Sequence, residues 1–243
     1  MSQSTAERQL PSVVNPESDP HINGQYLQKN PTWHVEYSPQ KADTIFRLLQ
    51  RNKLQPRAIC EVGCGAGEVL RQLQLKMPQE CRFWGFDIAP DAIRMARERE
   101  NERLRFALSD FVAIETPPFD LMLVLEVVDH VEDYLRFLRQ LKHRAGWKIF
   151  SFTLDISVQS VLRDPAFTKA RHIFEHLHHF NKEIALATLQ HAGYEVLDCC
   201  YGQNNADTAA AKLIKPFRAL SFALNQDVSV RVFGGRSLVV LTR

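Results

Sequence analysis

Residues 58–68 limit what this chain can fold into more than any other stretch. They begin with an apolar run around Ile59 and Val62, the pattern of a parallel strand buried on both faces. Gly63, Gly65 and Gly67 follow at alternate positions, and Val69, Leu70 and Leu73 continue at helical spacing. Strand, glycine turn and helix present bare backbone N–H groups and a helix start to a ligand. A β-carbon in such a turn collides with the ligand or forbids positive φ. The turn is the expected seat of a nucleotide-like cofactor.

The glycine spacing separates two cofactor chemistries. A dinucleotide fingerprint places its last glycine or alanine one position beyond Gly67, with a pyrophosphate at the helix start. Glu68 stands there instead, and its carboxylate would repel that pyrophosphate. Read with Glu61, the stretch is E-x-G-x-G-x-G, which resembles the first motif of class I S-adenosylmethionine-dependent methyltransferases, in their small-molecule branch. Their cofactor is a cationic sulfonium without phosphate. The resemblance implies that Glu61 helps hold its methionine end over Gly63, Cys64, Gly65 and Gly67. The competing readings are an NAD-dependent oxidoreductase on the same fold and a non-catalytic cofactor-binding protein.

Further acids recur at βα spacing. A strand over 82–88 ends at Asp87 and Ile88, about 20 residues past the turn, where a carboxylate meets ribose hydroxyls. Capping the helix that starts at Pro90 is the alternative role for Asp87. A third strand ends at Asp110 and Phe111, which the resemblance assigns to the adenine ring. The fourth, 119–126, closes at Glu126 and runs into Asp129-His130-Val131, similar to the family's fourth motif. Loops at strand carboxyl ends face the ligand, so Glu126, Asp129 and His130 are expected around the reacting methyl group. Asp129 as a helix N-cap is equally consistent with the pattern. The resemblance spans residues 33–202. It implies an α/β, Rossmann-like sheet of seven mostly parallel strands, ordered 3-2-1-4-5-7-6, with helices on both faces.

The fifth strand ends at Asp155, and a histidine-dense stretch follows with Glu175, His176, His178 and His179. No H-E-x-x-H spacing accompanies it, and Asp155-Ile156 does not reproduce the acid and Asp-Asn pair of metal-dependent catechol methyltransferases. No metal is expected. His130, Asp155, Glu175, His176, His178 and His179 are the candidate catalytic residues, each histidine having a bland alternative as a loop-fixing donor to a carbonyl. Asn181 is a candidate cap for a helix stopped by Gly193. Before the last strand, Leu213, Phe217, Leu220 and Leu224 have the spacing of an amphipathic helix kinked at Pro216. A packed accessory helix, a dimer contact and a substrate wall are its possible uses.

Residues 1–32 are rich in Ser, Gln, Asn and Pro, a disorder-like composition. Tyr26, Trp33, His34, Glu36 and Tyr37 then crowd before a helix for which Ser38 is the expected N-cap. Either the cluster anchors the arm, or the arm is a lid whose Tyr26, Trp33, His34 and Glu36 join Asp129 in binding substrate. The division expected is a 1–38 arm and a 39–243 methyltransferase domain, with 157–180 and 203–235 as substrate-side insertions and a helical insertion before the last strand.

A net charge of +2 gives no case for general nucleic-acid binding. The five cysteines are scattered and read as reduced, buried thiols. No signal-peptide core or membrane-length apolar run is present, so a cytoplasmic chain acting on a small molecule, as monomer or homodimer, is expected. Carboxylates and imidazoles around the methyl group favour N-methylation of a cationic amine or guanidine. O-methylation of a sugar or hydroxylated metabolite is the alternative, because His-acid pairs also deprotonate hydroxyls.

Overall fold

In the computed structural model, residues 19–163, 165–203 and 209–243 are described, with backbone alone at 203 and 209–216. Of the disorder-like segment 1–32, residues 1–18 lie outside that set, as do the side chains of Leu213 and Pro216, whereas 19–32 are described and hold a helical turn over 25–29. Seven strands form one sheet: β1 Ala58–Val62, β2 Arg82–Asp87, β3 Leu104–Leu108, β4 Phe119–Leu125, β5 Ala145–Thr153, β6 Val196–Gln203 and β7 Arg236–Thr242. Their order is β3-β2-β1-β4-β5-β7-β6, as the family resemblance implied. The first five strands are parallel, and β7 runs antiparallel to both β5 and β6.

Ten helices accompany the sheet among the described residues: α1 Gln25–Lys29, α2 Ser38–Arg51, α3 Glu68–Gln74, α4 Pro90–Arg97, α5 Tyr134–Leu141, α6 Val158–Val161, α7 Ala166–Phe174, α8 Lys182–His191, α9 Ala209–Leu224 and α10 Gln226–Phe233. Side chains alternate across each strand, so the central strands feed two cores. Ile59, Leu121 and Leu123 meet Ile45 and Leu49 of α2, Leu70 of α3 and Ile93 of α4. Cys60, Met122 and Val124 face the other way, toward Leu138 of α5, Leu189 of α8 and Val230 of α10. Each fully buried Leu or Phe contributes roughly 1.5–3 kcal/mol. Apolar strands with both faces covered expose only their ends, and the parallel carboxyl ends all open on one side.

Several helix boundaries differ from expectation. Ser38 is buried inside the first turn of α2, and Tyr37 holds the cap position without a side-chain cap bond. Asp129 caps nothing; Asp133 caps α5, accepting from the Arg136 N–H at 3.1 Å. Asn181 caps α8 as read, accepting from the Ile184 N–H at 2.8 Å. The 203–235 connection holds two helices rather than one, with Asn225 capping α10. No helix among the described residues is long and apolar enough to cross a membrane.

Candidate active site

The turn between β1 and α3 uses positive φ at Gly63, Gly65 and Gly67, of 72°, 53° and 77°. Close neighbours exclude side chains there as well: a β-carbon on Gly65 would lie 2.6 Å from Trp33 Cδ1, and one on Gly67 2.3 Å from Phe106 Cζ. The turn is pinned from β2. Phe86 O accepts from the Gly63 and Cys64 N–H groups at 2.8 and 3.1 Å, and Asp87 Oδ2 accepts from the Gly65 N–H at 2.8 Å. Asp87 Oδ1 accepts from the Ala89 N–H at 2.9 Å, so this carboxylate ties the glycine turn to the start of α4. Burial pushes the Asp87 carboxyl up, and those N–H donors hold the rise back.

A cavity of about 1290 Å³ opens over these strand ends. Glu61, Gly63, Cys64, Gly65, Gly67, Asp87, Ile88, Asp110, Phe111 and Glu126 all line it, as do Tyr26, Trp33 and His34. Asp110 Oδ1 accepts from the Val112 N–H at 3.0 Å, which shapes the bend after β3, while the Phe111 ring packs on Phe86 at 5.0 Å. Two buried carboxylate oxygens in this region, Glu61 Oε2 and Glu126 Oε1, have no hydrogen-bond partner among the described residues. Burial raises the Glu61 carboxyl to about 8, with Lys41 pulling against it. Lys41 Nζ pairs with Glu126 Oε2 at 2.8 Å, and Glu126 adopts the left-handed conformation at φ 56°, a strained state for a side chain. Orphaned carboxylate oxygens beside a glycine turn suit the ammonium end of a methionine-derived ligand. The residues present therefore fit S-adenosylmethionine.

The arm crosses the mouth of this cavity. Tyr26 is buried, its ring 5.0 Å from Trp33. The His21 ring stacks on Tyr26 at 4.4 Å and meets His130 edge-on at 5.2 Å. Farther along, Lys29 Nζ donates to Glu175 Oε1 at 2.6 Å and to His172 O at 2.7 Å, and Asn30 Nδ2 donates to Ile173 O. The arm thus reaches from the glycine turn to α7. Glu36 does not share in this: it is exposed and accepts from Thr32 Oγ1, away from the cavity wall.

At the other end, Asp155 Oδ2 lies 2.7 Å from His176 Nδ1 and 2.9 Å from His179 Nδ1, so one carboxylate oxygen takes both imidazole N–H groups. Burial would raise the Asp155 carboxyl, yet the two histidines hold it below its usual range. Burial would likewise lower His176, but the bond and charge of Asp155 outweigh it and the imidazole rises above its ordinary value. His130, 5.2 Å from the His176 ring, moves the other way: burial and neighbouring imidazoles bring it to about 3. Its Nδ1 donates to Glu175 O at 3.2 Å, the loop-fixing role foreseen for such a histidine.

Of the residues expected around the methyl group, His130, Asp155 and His176 line the cavity, while Asp129, Glu175, His178 and His179 do not. Asp129 is buried beneath it. Its Oδ2 accepts from the Thr153 N–H, its Oδ1 has no described partner, and burial lifts the carboxyl to about 7. Glu175 turns outward to Lys29, and His178 Nε2 meets Glu132 O at 3.2 Å. His179 supports Asp155 from behind. Asp155, His176 and His179 bring ligating atoms within 4.8 Å of one another, a metal-capable set that the sequence spacing did not show. Here their polar atoms bond one another. The sequence reading also missed Lys41, Arg163, Lys169, Arg218 and Arg236 on the wall, since isolated basic residues read as solvated surface.

The strand order and the glycine turn define a Rossmann-like methyltransferase fold. A family profile described as a methyltransferase domain matches residues 34–198, so the chain belongs to the S-adenosylmethionine-dependent methyltransferase family. Ajmaline N-methyltransferase of Rauvolfia serpentina is 26% identical over 94 residues, a match that covers 36% of this chain and only 32% of that enzyme. Among solved structures, the N-methyltransferase NodS of Bradyrhizobium japonicum, bound to S-adenosylhomocysteine, is 16% identical with a TM-score of 0.53, over 95% of this chain and 93% of its own. A chain of the Haloferax volcanii complex between the Trm112 methyltransferase activator and a methyltransferase is 15% identical with a TM-score of 0.64, over 91% of this chain and 95% of its own. These structural likenesses show the fold. The family's cofactor is S-adenosylmethionine, which sets aside the oxidoreductase reading.

Proposed function

We propose that the enzyme methylates the nitrogen of a small polar amine or guanidine. The observation that carries this reading is Asp155, ionised on the cavity wall and backed by His176. A carboxylate attracts a cationic acceptor, and an imidazole beside it receives the proton that must leave before nitrogen can attack. Donation from His176 Nδ1 to Asp155 fixes the tautomer that leaves a lone pair on Nε2. The names of ajmaline N-methyltransferase and NodS, an N-methyltransferase, support nitrogen over oxygen.

The remaining roles follow from position. Glu61 and Glu126 take the ammonium end of the cofactor, and residues 63–67 form its cradle. Asp87 takes the ribose hydroxyls, and Asp110 with the Phe111 backbone takes the adenine. The bound sulfonium supplies an electrophilic methyl group. Residues 39–243 form the catalytic domain, with 157–180 and 203–235 as substrate-side insertions, and the 1–38 arm acts as a lid that excludes water from donor and acceptor.

A panel of amines, guanidines, sugars and phenols, assayed for methyl transfer from S-adenosylmethionine, tests the reading. Turnover is expected with a nitrogen acceptor. Turnover confined to hydroxyl acceptors would transfer the same Asp155–His176 pair to O-methylation and end the nitrogen reading.

A further inference from the structure

The wall beyond Asp155 carries charge of the opposite sign. Arg163 follows α6, Arg218 lies on α9 and Arg236 opens β7, and all three line the cavity. They reach it from segments 73 residues apart in sequence, the span from 163 to 236. The Arg236 backbone borders the carboxylate that backs the candidate base: its carbonyl accepts from the Leu154 N–H at 3.0 Å, one residue before Asp155.

Two of the guanidinium groups are held in place. Arg218 Nη2 donates to Phe233 O at 2.6 Å and Gly234 O at 2.9 Å, leaving its Nε and Nη1 donors without a described partner. Arg236 stacks on Phe222 at 4.0 Å, a contact that uses the face of the guanidinium and leaves its in-plane N–H donors unengaged by any described acceptor. Arg163 has no described ion-pair partner. Burial lowers the Arg218 and Arg236 guanidinium pKa values, and the charges acting on them are repulsive: Arg163 on Arg218, and Arg218 on Arg236. Among the described residues no carboxylate neutralises the three.

Arg218 and Arg236, half-buried cations that repel one another and have spare planar donors, are poorly satisfied by the chain alone, and exposed Arg163 adds a third positive charge at the rim. A guanidinium fork matches a carboxylate or phosphate, with two parallel N–H bonds to its oxygens. Gly234 and Gly235 keep this wall open: a β-carbon on Gly235 would lie 2.5 Å from Arg218 Nη2, and one on Gly234 2.8 Å from Ser157 Oγ. We propose that Arg163, Arg218 and Arg236 form an anion-binding subsite for an acid group carried by the methyl acceptor, so that the substrate is an amine with a carboxylate or phosphate at its far end. The amine half of this statement rests on the N-methyl reading above; the anion subsite stands on the arginines alone.

Two measurements separate these parts. The protein saturated with S-adenosylhomocysteine is titrated calorimetrically with inorganic phosphate and with acetate, at constant ionic strength, alongside Arg218→Gln/Arg236→Gln. One of the anions is expected to bind, and the double variant to weaken it by about tenfold or more, the scale of a lost charge-assisted pair. Arg163→Gln, whose side chain supports no described backbone, is run in parallel, so that a folding defect in the double variant does not decide the result. Failure of both anions to bind, or equal affinity in all variants, overturns the subsite. Paired acceptors then identify the acid: β-alanine against propylamine for carboxylate, phosphoethanolamine against ethanolamine for phosphate. The acid-bearing member of one pair is expected to show a KM about tenfold lower, an advantage lost in Arg163→Gln. Equal KM within both pairs refutes the substrate assignment. Turnover of hydroxyl acceptors alone refutes the nitrogen reading and leaves the anion titration to decide the subsite.

Discussion

The two ends of the cavity solve opposite problems. At the β1–β4 end, buried carboxylate oxygens of Glu61 and Glu126 lack hydrogen-bond partners. At the β5–β7 end, His176 and His179 both engage Oδ2 of Asp155, and the groups without described counter-charges are arginines. A buried polar atom without a partner costs about 1–3 kcal/mol, so the first end is destabilised until a cation arrives. The second end is organised in advance, with its carboxylate held ionised. In the proposed function, one end gains a ligand and the other moves a proton.

The largest expected effect breaks the proton-handling end. Asp155→Asn or His176→Gln is predicted to lower kcat by about 10²–10⁴-fold, the usual scale for a general base. The pH profile carries more information. A base works in its unprotonated form, so kcat/KM rises with pH through the His176 pKa, which Asp155 holds above the ordinary histidine value. In Asp155→Asn burial prevails, and that acid limb moves to lower pH. An unmoved limb in this variant removes the pair from proton transfer.

A smaller effect breaks the cofactor end. Glu61→Gln is expected to weaken S-adenosylhomocysteine binding by about 1–3 kcal/mol in calorimetry. Stability of the ligand-free protein changes in the opposite sense. With a folded value near 8 against an ordinary 4.5, the wild type loses stability as pH climbs between those limits, because its unfolded state ionises first. Glu61→Gln cannot ionise and escapes that loss. Its melting temperature relative to wild type therefore rises across this window, and a constant difference would show that Glu61 is not a strained carboxylate.

The smallest effect tests the piece that joins the two ends. The arm touches Gly65 through Trp33 and α7 through Lys29. Limited proteolysis within 19–37 is expected to slow severalfold when cofactor product and acceptor are both present. Equal cleavage with and without ligands reduces the arm to a passive anchor.

Much of the glycine-turn end of the cavity was legible in the chain because its parts repeat a local rule. An apolar strand, a glycine turn and an amphipathic helix follow one another within residues 58–74, and an acid stands at or just past the end of each of the four later parallel strands. Short-range periodicity also located Asn181 as a cap. Ser38 misled because a serine beside a proline has the composition of a cap, whereas burial against the core placed it inside the helix.

The Asp155 end required the tertiary structure. Four histidines within residues 176–191 look alike in sequence, and only packing turns His176 toward the cavity while His178 bonds Glu132 at the surface. Asp129 has the spacing of a ligand-facing acid, yet the turn after β4 buries it beneath the wall. Lys41, Arg218 and Arg236 carried no local signal, since an isolated base in a helix or at a strand start reads as solvated. The sequence by itself determined the parallel strands and the glycine cradle, because strand burial and positive φ are dictated by residues near one another, whereas the sheet order was implied by the family resemblance. Which charges face each other across the cavity was decided only by the fold, because that depends on crossovers that bring residues 19–41, 126–130, 155–176 and 218–236 to one edge of the sheet.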